Sequence, residues 1–322
     1  MRTPSVVAVS GVGGDVAQGI VKGLRVRRGA FRIIGLDAAP ENVGFHMVDR
    51  GIRVPPATES HYPDALITTL REHRAELYLM GVDVEIPVVS VLREHIERET
   101  GCQIVVSDDA FVQRATDKLA TAQMLTERDL PAAKTLPGET AIAAAADELG
   151  LPLLAKPRRG HGSRRVRLIE STADIEQPLP RTGAGYCFQE YLPGEEYTCG
   201  LLYDRNGSLR DWVCFRRRLE CGRTIEARVV NIESLDRLIE RFGTRIRCRG
   251  PINVQLRLDR GGTPTIFEIN PRFSGTTAFR VACGFNDPLR VALHYLHDEP
   301  IDHIAIRRVH IFRYYEEWVL PS

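Results

Sequence analysis

The sequence predicts an α/β fold in which an N-terminal parallel sheet, wrapped by helices, is followed by a β-rich C-terminal part. Three observations point there. The first ~110 residues alternate short apolar runs with amphipathic stretches, the mark of parallel strands joined by crossover helices. The last third strings strands together through Asn-Gly and Gly-Gly pairs, as antiparallel hairpins do. A chain of 322 residues also suffices for about two domains with a sizeable core.

Taken in order, SVVAVS, FRIIGLD, AELYLMG and QIVVS read as strands, with GIRVPP a further short one. GDVAQGIVKGLRVRR, HYPDALITTLREHR and VVSVLREHIERE carry apolar residues at three- and four-residue spacing and read as helices. In SDDAFVQRATDKLATAQMLTERDLP, Asp108 or Asp109 and Thr116 are the expected N-caps, and the helix stops before Pro131. AAAADELG is a helix closed by Gly150, and LPLLAKP a strand closed by Pro157. Then come YCFQEYL, EYTCGLLYD, DWVCFRRRLE, TIEARVV, PINVQLRLD and TPTIFEIN as strands, with IESLDRLIERFG and NDPLRVALHYLHDE as helices. No internal repeat or low-complexity segment interrupts the pattern.

Acid and base nearly cancel, 42 Asp plus Glu against 43 Lys plus Arg, so net charge supports neither a nucleic-acid nor a membrane-surface partner. No apolar run approaches the roughly 20 residues that span a bilayer, and MRTPSVVAVSG lacks the pattern of a signal peptide. Seven scattered cysteines without a C-x-x-C pair suit reduced thiols, and a cytoplasmic location is expected. The lysines are only Lys22, Lys118, Lys134 and Lys156. A chain so biased toward arginine has a use for a compact point charge where it keeps one, and a phosphate is such a use.

The turn SGVGGDVAQG follows the first strand and raises the prospect of dinucleotide binding. Gly11, Gly13 and Gly14 fit that loop loosely, Val16 stands where a third small residue is needed, and Asp37 ends the next strand where a ribose carboxylate would sit. A tight turn without a cofactor fits as well.

More chemistry lies downstream. In NVQLRLDRGGTPTIFEINPRFSG two strands meet at a Gly-Gly turn, and Glu268 and Asn270, two apart, share one face. With Gln255 on the neighbouring strand they offer three oxygens to a hard cation such as Mg²⁺, and Arg272, beyond Pro271, could reach a phosphate; a polar-faced hairpin is the alternative. LAKPRRGHGSRRV sets Lys156 at a strand end before Gly160, Gly162 and Ser163, a loop able to fold over phosphates or to lie as an exposed Arg-rich hairpin. FQEYLPGEEYT supplies Glu190, Leu192 and Glu196, suited to an adenine edge and ribose hydroxyls or to a solvated turn.

TDKLATAQML, LLAKPRRGHGS, QEYLPGEEYT and NVQLRLD…FEINPRFSG, in this order, resemble the ATP-grasp superfamily. Within it the resemblance is to the branch of the carbamoyl-phosphate synthase large chain and the small biosynthetic ligases related to it. It covers roughly residues 80 to 290. It implies an N-terminal Rossmann-like pre-ATP-grasp domain (1–110) that binds no dinucleotide, an ATP-grasp small lobe (111–188) and a C-terminal lobe with the metal site (189–322). It further implies ATP contacts from Lys118 and Lys156, a phosphate-covering loop at Gly160, Gly162 and Ser163, an adenine hinge at Glu190 and Leu192, and a ribose acid at Glu196. Gln255, Glu268 and Asn270 match the positions for Mg²⁺ (or Mn²⁺), and Arg272 the position that steadies the transferring phosphate. Arg165 departs from the small residue usual in the loop. Arg217 and Arg218 resemble a basic strand position or form a solvated run, and Asp83 and Glu85 resemble an acidic turn or a helix cap.

The implied activity is that of an ATP-dependent ligase: a small-molecule carboxylate is phosphorylated, ADP leaves, and an amine or other nucleophile displaces phosphate. Phosphorylation of bicarbonate or carbamate, a non-catalytic ATP-binding module and an NAD(P) oxidoreductase are the alternatives. A homodimer is compatible with this reading.

Overall fold

The computed structural model describes residues 3–160, 165–175, 183 and 185–320, which form three sheets. Apolar runs separated by amphipathic helices build the first: β1 (Ser5–Ser10), α1 (Asp15–Arg25), β2 (Phe31–Asp37), α2 (Gly44–Met47), β3 (Arg50–Arg53), α3 (Tyr62–Glu72), β4 (Leu77–Leu79), α4 (Ile86–Thr100) and β5 (Gln103–Ile104). All pairings are parallel, in the order β3-β2-β1-β4-β5. The order reverses at β1, so the chain leaves β1 for one side and returns at β4 on the other. In α1, Ala17, Ile20, Val21 and Leu24 are buried at helical spacing. Each such aliphatic side chain contributes about 1.5–3 kcal/mol, less for alanine.

Two short helices follow, α5 (Asp109–Ala115) and α6 (Lys118–Glu127). The cap of the second is Asp117, whose Oδ1 accepts from the backbone N–H groups of Leu119 and Ala120 at 3.1 and 3.3 Å. Thr116, the expected cap, instead ends α5, and its hydroxyl donates back to the Val112 carbonyl. A carboxylate so placed contributes about 1 kcal/mol at a helix start. It is also gripped by Arg158, at 2.7 Å; burial is the largest single influence and pushes the Asp117 carboxyl up, but the hydrogen bonds from Arg158 and Ala120 with the charges of Arg158 and Arg159 together hold it below its ordinary range.

The second sheet comprises β6 (Thr135–Pro137), β7 (Leu153–Pro157), β8 (Arg167–Ile169) and β9 (Tyr186–Glu190), antiparallel in the order β6-β9-β7-β8, with α7 (Ile142–Leu149) and α8 (Thr172–Ile175) beside it. The third is a six-stranded antiparallel sheet in the order β14-β13-β10-β11-β12-β15. Its strands are β10 (Glu195–Tyr203), β11 (Leu209–Glu220), β12 (Arg223–Val230), β13 (Gly250–Leu258), β14 (Pro264–Asn270) and β15 (His310–Phe312). Helices α9 (Glu233–Arg245), α10 (Thr277–Cys283) and α11 (Asp287–His297) complete this part.

One face of the large sheet packs under α9. The other joins the N-terminal unit in a single core that holds Val7, Val9 and Ile20 together with Leu202, Phe215 and Phe279. The union is close at two glycines of α1. A Cβ on Gly19 would stand 2.8 Å from the backbone nitrogen of Ala278, and one on Gly23 would stand 2.7 Å from Asn286 Oδ1. None of the described helices is long and apolar enough to cross a membrane.

Candidate active site

The glycine turn after β1 uses its donors internally. Gly13 N–H donates to Asp37 Oδ2 at 2.8 Å, Gly14 N–H to the Gly11 carbonyl at 2.8 Å, and Gly11 N–H to the Leu36 carbonyl at 2.7 Å. Asp37, the acid a dinucleotide ribose would need, is thus occupied by the turn itself. Asp15 stands in the first turn of α1, where a pyrophosphate would meet a carboxylate instead of an open helix end.

A pocket opens instead between the second and third sheets. Lys118, Lys156 and Gly160 line it from one side, Glu190 and Leu192 at the hinge, and Glu196, Gln255 and Glu268 from the floor. Leu154, Val166, Leu192, Leu219 and Phe267 add apolar walls, as a flat heterocycle requires. Gly162 and Ser163 lie outside the described residues. Asn270 and Arg272 do not line the pocket but continue from its floor along the end of β14.

Lys156 sits one residue from the end of β7, 5 % exposed, its ammonium over the Phe267 ring and donating to Gln189 Oε1. Burial pushes its pKa down to about 8, against the pull of the Glu268 carboxylate. Lys118 Nζ donates to the Gly160 carbonyl at 3.0 Å, which ties the start of α6 to the loop after β7. The Glu190 carboxylate does not face the pocket freely: Oε1 accepts from the Lys134 backbone N–H at 2.6 Å and pins the hinge. No backbone hydrogen bond engages the Leu192 N–H among the described residues, which leaves it available to a ligand edge.

Strand register explains the floor. Glu196 and Arg257 are direct partners across β10 and β13, and Thr198 pairs with Gln255, which in turn pairs with Glu268 on β14. Arg217 of β11 reaches the same face, with Nη2 donating to Glu196 Oε1 at 2.5 Å and to Gln255 Oε1 at 2.8 Å. Arg257 meets Glu196 Oε2 at 3.2 Å. Alternation along β11 sends Arg218 to the opposite side, exposed and paired with Glu226 at 2.9 Å. Of the two, Arg217 lines the pocket and Arg218 does not. Arg257, Gln189 and Phe267 were not singled out in the sequence; counting register outward from Glu196 and Glu268 would have found the first.

Glu268 Oε1 is the focus of the candidate cation set, Gln255, Glu268 and Asn270. It receives the Asn270 amide at 3.1 Å and the Gln255 amide at 3.5 Å, while the oxygens of those amides accept from Arg272 and Arg217. No cluster of three or more His, Cys, Asp or Glu suited to a metal occurs among the described residues. One carboxylate with two amides is an all-oxygen set that fits Mg²⁺ when phosphates complete the shell, and is too weakly charged to hold it alone.

Arg272 points toward the N-terminal unit. Its Nε donates to Asp83 Oδ1, Nη1 to the Phe273 carbonyl at 2.6 Å and Nη2 to Asn270 Oδ1 at 3.3 Å. Asp83 opens a short 3₁₀ turn, whose N-cap position is Val82. Glu85 is buried beneath, accepting from the hydroxyls of Ser10 and Tyr78, and burial raises its pKa to about 7 despite those donors.

With this geometry in place, the comparisons are specific. The family model described as "ATP-grasp in the biosynthetic pathway with Ter operon" matches residues 186–317. The carbamoyl phosphate synthase large chain of Thermomicrobium roseum is 26% identical over 196 residues, 56% of this chain and 18% of that protein. The carbamoyl-phosphate synthase of Methanobrevibacter smithii is 20% identical over 182 residues, 55% of this chain and 47% of that protein. The chain thus spans less than half the length of either. Among solved structures, the N5-carboxyaminoimidazole synthetase of Staphylococcus aureus complexed with ADP superposes with a TM-score of 0.76 at 14% identity, covering 95% of this chain and 81% of that one. The superposition shows that the chain shares the fold of that synthetase, and over residues 186–317 the chain matches an ATP-grasp family, in agreement with the resemblance that its motifs carry.

Proposed function

We propose that the protein is an ATP-dependent carboxylate ligase that works through an acyl phosphate and releases ADP and phosphate. The observation that carries this is the pocket itself, which gathers two of the chain's four lysines, the hinge at Glu190–Leu192 and the Glu196, Gln255 and Glu268 face between two sheets. The ADP held by the Staphylococcus aureus relative supports the choice of nucleotide.

In this reading adenine enters between Leu154, Val166 and Leu192, and Lys156 and Lys118 meet phosphate oxygens. A substrate carboxylate oxygen attacks the γ-phosphorus, and the bond to the β–γ bridging oxygen breaks, leaving ADP and an acyl phosphate. An amine then attacks the acyl carbon, loses a proton, and expels inorganic phosphate. The protein needs no covalent nucleophile; its residues align the partners and neutralise charge. Mg²⁺, held by Glu268 with the amide oxygens of Gln255 and Asn270, would supply Lewis-acid neutralisation of the phosphates. Arg217 exchanges its Glu196 contact for a phosphate oxygen as ribose hydroxyls take over the carboxylate.

The test is ATP titration by calorimetry, followed by ADP release over a panel of carboxylates with Mg²⁺. Glu268→Gln keeps shape but removes the set's one charge, and turnover should fall about a hundredfold or more, with circular dichroism unchanged. Normal turnover with normal metal dependence in that variant refutes the cation assignment, and tight NADH binding without ATP binding refutes the ligase.

A further inference from the structure

The six-stranded sheet treats its two edges differently. At β14 the chain over 131–133 covers the rim: Ala133 N–H donates to the Ile266 carbonyl at 2.8 Å, and Ile266 N–H to that of Pro131 at 3.1 Å. At the other rim, β15 pairs only with β12 among the described strands. Val229 N–H donates to the Val309 carbonyl at 3.1 Å and Arg313 N–H to the Ile225 carbonyl at 2.8 Å. Residues 309, 311 and 313 thus turn their backbone groups toward β12. Antiparallel alternation aims those of His310, Phe312 and Tyr314 out of the sheet. Side chains alternate as well. Val309 and Ile311 pack on the shared core, while Phe312 and Tyr314 stand 59 % and 76 % exposed. An open edge that carries large apolar side chains is a template for a further strand.

We propose that this edge is a homodimer surface, where a second copy of the chain adds its own β15, antiparallel, about a two-fold axis at Phe312. Charge selects both the occupant and the register. From Arg307 to Glu317 the segment reads RRVHIFRYYEE, two arginines at one end and two glutamates at the other, equally far from Phe312. In antiparallel pairing about Phe312, Arg308 faces Glu316 of the second copy and Arg307 faces its Glu317. His310 faces Tyr314, and Phe312 meets its own counterpart. The symmetry makes each of these pairs form twice. His310, Phe312 and Tyr314 are also the residues whose outward backbone groups such a pairing joins. Sliding the register by one step sets Arg308 against Tyr314 or Trp318 and loses both ion pairs. Arg308, Glu316 and Glu317 are exposed, and the Tyr314 hydroxyl lies 3.4 Å from a Glu316 oxygen, as two neighbours on one strand face do. A strand of another protein has no reason to repeat this charge order in reverse. No residue of 307–320 lines the nucleotide pocket, so the dimer leaves that pocket open.

Sedimentation velocity of the full chain over micromolar concentrations tests this. A monomer–dimer equilibrium is expected, weakened by salt because the ion pairs are exposed. Phe312→Lys places like charges on the axis and should give monomer, with circular dichroism unchanged. Arg308→Glu and Glu316→Arg each oppose like charges twice, and each should raise the dimer Kd by about tenfold or more. The double variant Arg308→Glu/Glu316→Arg restores opposite charges and should return the Kd to within about threefold of the parent, which a merely destabilising change would not do. Monomer at every concentration overturns the proposal. So does assembly that grows past the dimer, a dimer indifferent to these variants, or a double variant no tighter than the singles.

Discussion

Lys156 combines a buried ammonium lining the pocket with a single hydrogen-bond acceptor, Gln189 Oε1, among the described residues, so it keeps donor capacity for a ligand. Desolvation is the chief reason its pKa lies near 8 instead of 10.5. Between those values the unfolded chain binds more protons than the folded one, so this group's contribution to stability rises with pH across that window. A phosphate beside Lys156 restores the charged form, so ATP affinity should be full below pH 8 and fall above it, by up to about tenfold per pH unit. Lys156→Met should remove that slope, weaken ATP binding at neutral pH by about 10- to 100-fold, and stabilise the nucleotide-free fold. Calorimetry across this range, on both proteins, reads the slope directly; identical slopes exclude Lys156 from the phosphate site.

At the level of elements, the first βα turn rests on a buried polar stack. Ser10 at the end of β1 and Tyr78 in β4 donate to Glu85, and the Tyr62 and Tyr78 hydroxyls lie 3.2 Å apart. Burial raises Glu85 from the ordinary 4.5 to about 7. Its protonated form is the one the fold favours, so its contribution is full below pH 4.5 and is lost as pH rises through 7. Glu85→Gln keeps an oxygen for the hydroxyls without the charge. Its stability relative to the parent should therefore grow from acid to mildly alkaline pH, by up to about 3 kcal/mol; parallel urea midpoints at both ends would show that Glu85 is not charged there. Elements with a strong period were legible in the sequence: β1, β2, α1, α9 and the β13–β14 hairpin all declare their buried faces. So was the pairing of Glu268 with Asn270, because two-residue alternation is local. Short pieces such as β15 and α10 were not, since a three-residue edge strand and a helix of seven residues owe their form to neighbours distant in sequence. Thr116 and Asp117 are both good caps, and only the grip of Arg158 on Asp117 decides between them. Arg217 and Arg218 are likewise equivalent until register with Glu196 is known.

Across the whole molecule the packing is unequal. The N-terminal sheet and the six-stranded sheet share one core, so Val7, Phe215 and Phe279 lose their partners together. The second sheet has a separate small core of Ala145, Leu153, Ala155, Ile169 and Phe188 among the described residues. Two of these are alanines, and the larger three bring about 1.5–3 kcal/mol each, little against the entropy of ordering four strands. That lobe is fastened mainly by polar ties: Asp117 to Arg158, Lys118 to Gly160, and Lys134 to Glu190. Local opening should therefore occur there at a free energy below that of global unfolding. Amide exchange of β7 and β9 should run through this cheaper opening, while β1, β10 and β13 exchange only with the whole. Because Lys156 and the hinge belong to the second sheet's lobe and Glu196 and Glu268 to the large sheet, ATP with Mg²⁺ bound as proposed would bridge the two. It should slow exchange in β7 and β9 selectively and leave β1 almost unchanged. Lys156→Met should keep the unequal exchange but lose most of that ATP effect. Uniform protection of all three sheets, or protection centred on β1, would place the nucleotide somewhere other than between the second and third sheets.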